Sequence, residues 1–259
     1  MDLGIAGRKA LVCGASAGLG FACAKALVEE GVDVVIAART ADTLAEAAGQ
    51  LAALKRSVVS HVVADVTTNE GRAAILSAHP HFDIVVTNAG GPPPGNFRDW
   101  TRDSWLAALD ANMLAPIELI KATVDAMIEQ QFGRIINITS SAVKSPLEPL
   151  GLSNGARSGL TGFVAGLARS VAAHGVTINN LLPGTFDTAR LSSNFAAQAR
   201  REGRPVDAVR NDRIARHPAR RLGTPDEFGR TCAFLCSVHA AYINGQNLLL
   251  DGGSYPGTF

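Results

Sequence analysis

The stretch Gly14-Ala15-Ser16-Ala17-Gly18-Leu19-Gly20 joins the apolar run Lys9–Cys13 to a segment of helical period, Gly20–Glu30. Glycines here allow a tight turn, let backbone N–H groups approach a pyrophosphate, and aim a helix N-terminus at its negative charge. The spacing is Gly-x-x-x-Gly-x-Gly, not the Gly-x-Gly-x-x-Gly of the commoner dinucleotide fingerprint. A strand, a glycine turn and a helix in this order predict the first crossover of a parallel sheet.

Six more short apolar or β-branched runs follow: Asp33–Ala37, Ser57–Ala64, Phe82–Thr87, Arg134–Thr139, Thr177–Leu182 and Asn247–Leu250. Between them, Thr43–Leu54, Ser104–Gln130, Arg157–His174 and Pro225–Cys236 carry apolar residues at 3- and 4-spacings. Strands that are apolar throughout are buried on both faces. The chain therefore reads as α/β: one Rossmann-type, doubly wound parallel sheet of seven strands over residues 1–259. Residues 187–221 interrupt the pattern, being polar, Arg-rich and bounded by Pro-Gly and Gly-x-Pro turns. They predict a helical substrate lid over the sheet's carboxyl edge, within the same domain.

With 47% apolar and 18% charged residues among 259, a sizeable core is available and the composition argues against disorder. A net charge of +1 argues against a nucleic-acid partner held by phosphate contacts. No apolar run approaches the roughly 18 residues of a membrane span. The first eleven residues contain no secretory apolar region, and Cys13, Cys23, Cys232 and Cys236 form no Cys-x-x-Cys pair. The expectation is a soluble, cytoplasmic protein with buried thiols. The six histidines show no metal spacing, so no metal site is expected.

Together with the glycine turn, Asp65-Val66, Asn88-Ala89-Gly90-Gly91, Asn112, Ser140-Ser141, Pro183-Gly184 and Asp251-Gly252-Gly253 resemble the short-chain dehydrogenase/reductase family. The resemblance is collinear from about residue 5 to residue 253. It implies that Gly14, Ser16, Gly18, Leu19 and Gly20 cradle a dinucleotide and that Asp65 and Val66 hold its adenine. It also implies that Asn88, Ala89 and Gly90 line the nicotinamide side, and that Thr188, after Pro183 and Gly184, reaches the carboxamide.

Cofactor choice is read at the end of the second strand, where an acid would accept from a ribose 2′-hydroxyl and repel a 2′-phosphate. This chain has Ala38 and then Arg39. A guanidinium is a permanently charged phosphate partner, which favours NADP(H). Arg39 stacking on the adenine instead would leave NAD(H) usable.

Most members of the family carry Tyr-x-x-x-Lys thirteen residues beyond a catalytic serine. Counting from Ser140, those places hold Ser153 and Arg157, and the chain's only tyrosines are Tyr242 and Tyr255. Tyr242 resembles a segment near subunit contacts; Tyr255, on the tail, is expected to reach only a neighbouring site in an oligomer. Hydride transfer to a carbonyl leaves an oxyanion to be protonated or stabilised. Serine is a far weaker acid than a phenol, and arginine does not exchange protons at neutral pH. Arg157 can inherit the grip on the nicotinamide ribose. Lys144, four residues after Ser140, is the candidate acid, with an exposed loop lysine as the alternative. Asn112 matches the water-holding member of the family's tetrad.

The pattern Ser-Ser-x-x-Lys-x-Pro with Ser-Asn-x-x-Arg resembles a divergent branch grouped with 3-oxoacyl-carrier-protein reductases. The leading expectation is an NADP(H)-dependent reductase of a carbonyl. Its rival is an NADP-binding protein of the same fold that has lost efficient hydride chemistry, a sensor or partner subunit; a cofactor-assisted elimination or isomerisation is a third. From Arg190 to Arg221 nine arginines face three acids, a net +6, which suits an anionic substrate such as a carrier-protein or coenzyme A thioester. Alternatively these arginines solvate the lid or pair with acids of a neighbouring subunit. The long helices and the last strand resemble family contact surfaces, implying a homotetramer or homodimer.

Overall fold

All seven runs read as strands form strands in the computed structural model, which describes residues 1–258. They are β1 (Lys9–Cys13), β2 (Asp33–Ala38), β3 (Val59–Val63), β4 (Ile84–Thr87), β5 (Gly133–Ile138), β6 (Val176–Pro183) and β7 (Asn247–Leu250). They build one parallel sheet in the order β3-β2-β1-β4-β5-β6-β7. The order reverses between β1 and β4, which opens a crevice at their carboxyl ends.

The helices are α1 (Gly18–Glu29), α2 (Ala41–Ala52), α3 (Asn69–Ala78), α4 (Arg102–Leu109), α5 (Ala115–Glu129), α6 (Gly151–Val171), α7 (Ala189–Glu202), α8 (Val206–Arg216) and α9 (Pro225–Cys236). Adjacent strand residues point to opposite faces. Val12, Ile36 and Val86 pack with Leu27, Leu44 and Phe228 of α1, α2 and α9. Leu11, Val35 and Val85 pack with Ile75, Leu119 and Leu160 of α3, α5 and α6. All four cysteines are buried and free, and burial pushes the Cys13 thiol up to about 12.

A buried polar ladder crosses four strands at one level. Thr87 Oγ1 donates to Asn137 Oδ1 (2.7 Å), Asn137 Nδ2 to Asn180 Oδ1 (3.0 Å), and Asn180 Nδ2 to Asn247 Oδ1 (2.8 Å). These four residues are in register, so the ladder fixes the sheet just beneath its carboxyl edge.

The structure departs from the sequence expectations in four elements. Helix α3 escapes the pattern because only Gly71 and Ile75 are buried; Thr68 starts it, accepting from Gly71 N–H at 3.0 Å. The single helix expected over Ser104–Gln130 is divided into α4 and α5 by a π-turn, Asp110–Leu114. Pro116 lacks the N–H that would reach the carbonyl of Asn112, so the α-helical ladder cannot run through. Helix α6 begins at Gly151, placing Ser153 and Arg157 in its first two turns. The segment over the carboxyl edge is two helices, α7 and α8, around Phe195, Ala199, Val209 and Leu222. Its ends are tied together by backbone bonds between Asp187 and Gly223 (2.8 Å) and between Gly223 and Thr185 (3.0 Å).

Among the described residues no helix is long and apolar enough to cross a membrane, and no three His, Cys, Asp or Glu side chains are grouped to hold a metal.

Candidate active site

The glycine turn crosses from β1 to α1 with Gly14 at φ +58°, a backbone that an L side chain rarely adopts. A Cβ at Gly20 would stand 2.3 Å from the Gly14 carbonyl, so only glycine lets the helix seat this closely. Asn88 Nδ2 donates to the same carbonyl (3.2 Å), locking the turn to the end of β4. No side chain caps the N-terminus of α1, and its first turn holds no acid. Its backbone donors and positive dipole end are thus left for an anion. The turn fits a dinucleotide pyrophosphate on these grounds. Thr188, the N-cap of α7, brings its methyl to 3.8 Å from the Cβ position of Gly18, so α7 starts against this turn.

Just beyond β3, Asp65 Oδ1 accepts from the N–H (3.0 Å) and hydroxyl (2.8 Å) of Thr67. The backbone bond, then the hydroxyl bond and nearby Arg39, hold its carboxyl below the usual range. Arg39 is exposed directly after β2, with Val66 half-buried beside Asp65.

A cleft of about 530 Å³ gathers thirteen of the sequence-read site residues: Gly14, Ser16, Gly18, Leu19, Asn88, Ala89, Gly90, Ser140, Ser153, Arg157, Pro183, Gly184 and Thr188. Gly20 stands behind the turn. Asn112, Arg39, Asp65, Val66 and Lys144 are not on its wall. Arg190, also on the wall, escaped the sequence reading because nothing there separates it from the lid's other arginines.

Arg157 is 8% exposed and has no carboxylate partner among the described residues. Its Nη1 donates to the carbonyls of Ile138 (2.7 Å) and Thr139 (2.9 Å), and its Nε donates to Ser153 Oγ (3.2 Å). A Cβ on Gly91 would stand 3.4 Å from Arg157 Nη2 and 3.1 Å from Arg190 Nη2, so two guanidiniums converge there. Burial first, and Arg190 second, lower the Arg157 guanidinium to about 10, still protonated at neutral pH. Ser153 Oγ accepts from Arg157, and Ser140 Oγ accepts from Ala142 N–H (3.1 Å). A hydroxyl used as acceptor keeps its one O–H to donate. The site therefore offers two hydroxyl donors and a fixed cation.

Asn112 sits in the π-turn, 4% exposed, with Nδ2 on the Ala108 carbonyl (3.3 Å) and Oδ1 without a protein partner. A buried acceptor of this kind suits a water. One sequence reading, that of Tyr255, is corrected. The cationic neighbour of Arg157 is Arg190, while Lys144 Nζ lies over the Tyr255 ring, 5.9 Å from its centroid. Tyr255 accordingly sits in its own chain's cleft and does not need a neighbouring subunit to reach one; Tyr242 is fully exposed.

A Rossmann-type sheet with a glycine turn at its switch point, a serine after β5 and the helical pair α7–α8 after β6 defines a nucleotide-dependent oxidoreductase class. The chain belongs to the short-chain dehydrogenase/reductase family: a family profile described as enoyl-(acyl carrier protein) reductase matches residues 14–255. Dehydrogenase/reductase SDR family member 4 of Oryctolagus cuniculus is 32% identical, over 96% of this chain and 94% of that one. The 3-oxoacyl-(acyl-carrier-protein) reductase FabG of Vibrio cholerae is 31% identical, over 98% and 99%. Among solved structures, L-sorbose reductase from Gluconobacter frateurii with NADPH and L-sorbose superposes with a TM-score of 0.94 at 28% identity, covering 100% of both chains. YwfH, an NADPH-dependent reductase of bacilysin biosynthesis, gives 0.91 at 27%, covering 98% and 100%.

Proposed function

We propose that the protein is an NADP(H)-dependent reductase that converts a carbonyl to an alcohol with an atypical set of polar groups. One observation carries this reading: Ser140, Ser153 and Arg157 converge on the cleft that the glycine turn opens into. The NADPH bound to L-sorbose reductase and the NADPH dependence of YwfH support the choice of cofactor. Bound there, the cofactor supplies a hydride.

The chain's own groups do the rest. Gly14–Gly20 and the end of α1 receive the pyrophosphate, Arg39 the 2′-phosphate, and Asp65 and Val66 the adenine. Asn88, Ala89, Gly90 and Thr188 flank the nicotinamide, and Arg157 grips its ribose in place of lysine. The hydroxyls of Ser140 and Ser153 donate to the substrate carbonyl oxygen and stabilise the charge that develops on it. Serine is too weak an acid to give up its proton, so the Lys144 ammonium supplies the proton of the new O–H bond, directly or through water. Solvent returns that proton to the lysine amine. Asn112 Oδ1 holds a water nearby.

The relatives' activities diverge at similar identity, so the substrate is proposed only as a carbonyl compound, with a 3-oxoacyl thioester the candidate that the FabG relative supports. The missing phenol favours one rival, a protein that binds NADP without turning it over. NADPH oxidation at 340 nm is the deciding assay, with L-sorbose, a keto-gluconate and acetoacetyl-coenzyme A as probes. Turnover is expected, and Lys144→Met should depress kcat about 10²-fold while leaving NADPH affinity intact. NADPH binding without turnover of any carbonyl would favour the rival.

A further inference from the structure

We propose that Tyr255, from the C-terminal tail, is a positioning residue for Lys144: its ring, on the wall of a second cleft beside the cofactor cleft, holds the ammonium. This rests on the reductase reading above and extends it to a residue outside the family's own catalytic positions.

Four observations carry it. The Lys144 Nζ stands over the Tyr255 ring, 5.9 Å from the centroid, within the reach of a cation–π contact. Among the described residues no carboxylate lies within ion-pair distance of that ammonium, so the aromatic face is its one identified anchor.

The tail is built to hold the ring there. Asp251, at the end of β7, accepts from Gly253 N–H (3.0 Å) and Tyr255 N–H (2.7 Å), turning the chain back over the sheet edge. Ser254 Oγ and His217 Nε2 lie 3.0 Å apart and tie the same tail to the lid. A Cβ on Gly184 would press on Asp251 Cβ at 2.7 Å, so the Pro-Gly turn after β6 is shaped to receive this tail.

The ring also stands on a cleft next to the cofactor cleft. Tyr255 lines a second cleft of about 550 Å³ with Ser141, Ser145 and Gly184, and Gly184 is common to this cleft and the cofactor cleft. The two clefts meet at the Ser140–Ser141 step. A flexible four-carbon stem on a loop has many rotamers, and contact with a ring that lines the second cleft selects among them.

Two experiments test this. In protein whose lysines are reductively ¹³C-methylated, the Lys144 methyl resonance, assigned with Lys144→Met, should lie upfield under the ring current of Tyr255. It should stay there in Tyr255→Phe and return to the position of a solvated lysine in Tyr255→Leu. In NADPH oxidation with whichever of the three carbonyl probes turns over, Tyr255→Leu should lower kcat about 5- to 100-fold. The lower bound is a lost cation–π contact and the upper a misplaced catalytic group.

NADPH affinity should hold, Tyr255→Phe should recover most of the loss, and Tyr255→Leu should add nothing once Lys144 is methionine. A Lys144 resonance at the solvated position in the unmutated protein overturns the proposal. So do additive effects in the double variant, or a loss in Tyr255→Phe as deep as in Tyr255→Leu, which would make the phenol itself the acid. If no probe oxidises NADPH, the reductase reading fails with the kinetic role given to Tyr255; the resonance reads the contact itself in either case.

Discussion

Exchanging Arg39 for aspartate should reverse the protein's preference between the two nicotinamide dinucleotides. Arg39 directly follows Ala38, the last residue of β2, and is exposed, with no carboxylate in ion-pair distance among the described residues. Its guanidinium is therefore free to meet a phosphate. Hydrogen bonds to charged groups are worth about 1.5–3 kcal/mol net, and solvent exposure sets this one toward the low end. Arg39→Ala should then weaken NADPH by about 1–2 kcal/mol, roughly 5–30-fold. Arg39→Asp adds like-charge repulsion against the 2′-phosphate and should reach up to about 3 kcal/mol, roughly 150-fold. The new carboxylate also gains an acceptor for a ribose 2′-hydroxyl, so NADH should bind no worse and its ratio to NADPH should invert. Arg39 helps hold the Asp65 carboxyl low, so an aspartate beside it removes that support as well. Calorimetric titration of both dinucleotides at ~0.1 M and ~1 M salt reads the effect directly. Because the Debye length shrinks from ~10 Å to ~3 Å, the NADPH penalty should contract at high salt. Equal losses for NADPH and NADH would assign Arg39 to stacking on the adenine, and no loss for either would remove it from the cofactor site.

Asn137→Ala should strip the buried ladder of its centre, leaving the Thr87 hydroxyl and the Asn180 carbonyl oxygen unpaired in a fully buried layer. At about 1–3 kcal/mol for each stranded group, and about 2–4 °C per kcal/mol at this chain length, calorimetry should show a melting point lowered by roughly 5–20 °C. A shift under about 2 °C would mean that the ladder contributes little. The oligomer is the other expectation: Leu106, Leu114 and Phe163 on the α4–α6 side and Leu248 on β7 are large apolar residues between 37% and 46% exposed. Light scattering at micromolar concentration should give a homotetramer, or a homodimer if only the helical side is used; a monomer contradicts it.

Much of this fold was legible because both faces of the sheet are covered. Runs such as Ile84–Thr87 are buried at every residue, and continuous apolar character survives any error in register. The same logic failed for α3, where two buried residues in ten leave no periodic signal, and for the π-turn, whose cause is one missing N–H at Pro116. The cofactor end of the site was legible for a related reason: backbone geometry at Gly14 and Gly20 excludes other residues, so the sequence carries it locally. The chemistry end was not. Arg157 finds its partners at the end of β5 and its cationic neighbour in Arg190, Lys144 finds its partner on the last few residues, and such contacts depend on how residues 187–221 and the tail fold back. Sequence separation hides them, which is why the tail tyrosine reads as remote until its ring is seen beside Lys144.

The arginine excess of the lid illustrates the same gap between composition and field. Arg204 takes both Glu202 (3.1 Å) and Asp212, Arg210 takes Asp187 (3.0 Å), and Arg221 takes Glu227 (2.6 Å), so three of the nine are spent on nearby carboxylates. On the wall of the substrate-side cleft Arg204, Arg213 and Arg216 face Glu202, Asp212 and Asp251, and the formal charges cancel. Arg200, Arg201 and Arg220 are exposed on the lid surface, whereas Arg190 reaches across to the Gly91 carbonyl (3.1 Å) beside Arg157. Positive charge is thus concentrated in two places, the outer lid and the cofactor cleft, and is balanced in between. A field of that shape draws an anionic ligand toward the lid and favours the phosphates of a dinucleotide. It does not provide a net charge to grip a substrate carboxylate or phosphate in the substrate-side cleft. Selection there falls to hydrogen bonding, from Ser141, Ser145 and the matched ionic groups, so a substrate's hydroxyl and carbonyl pattern should weigh more than its net charge.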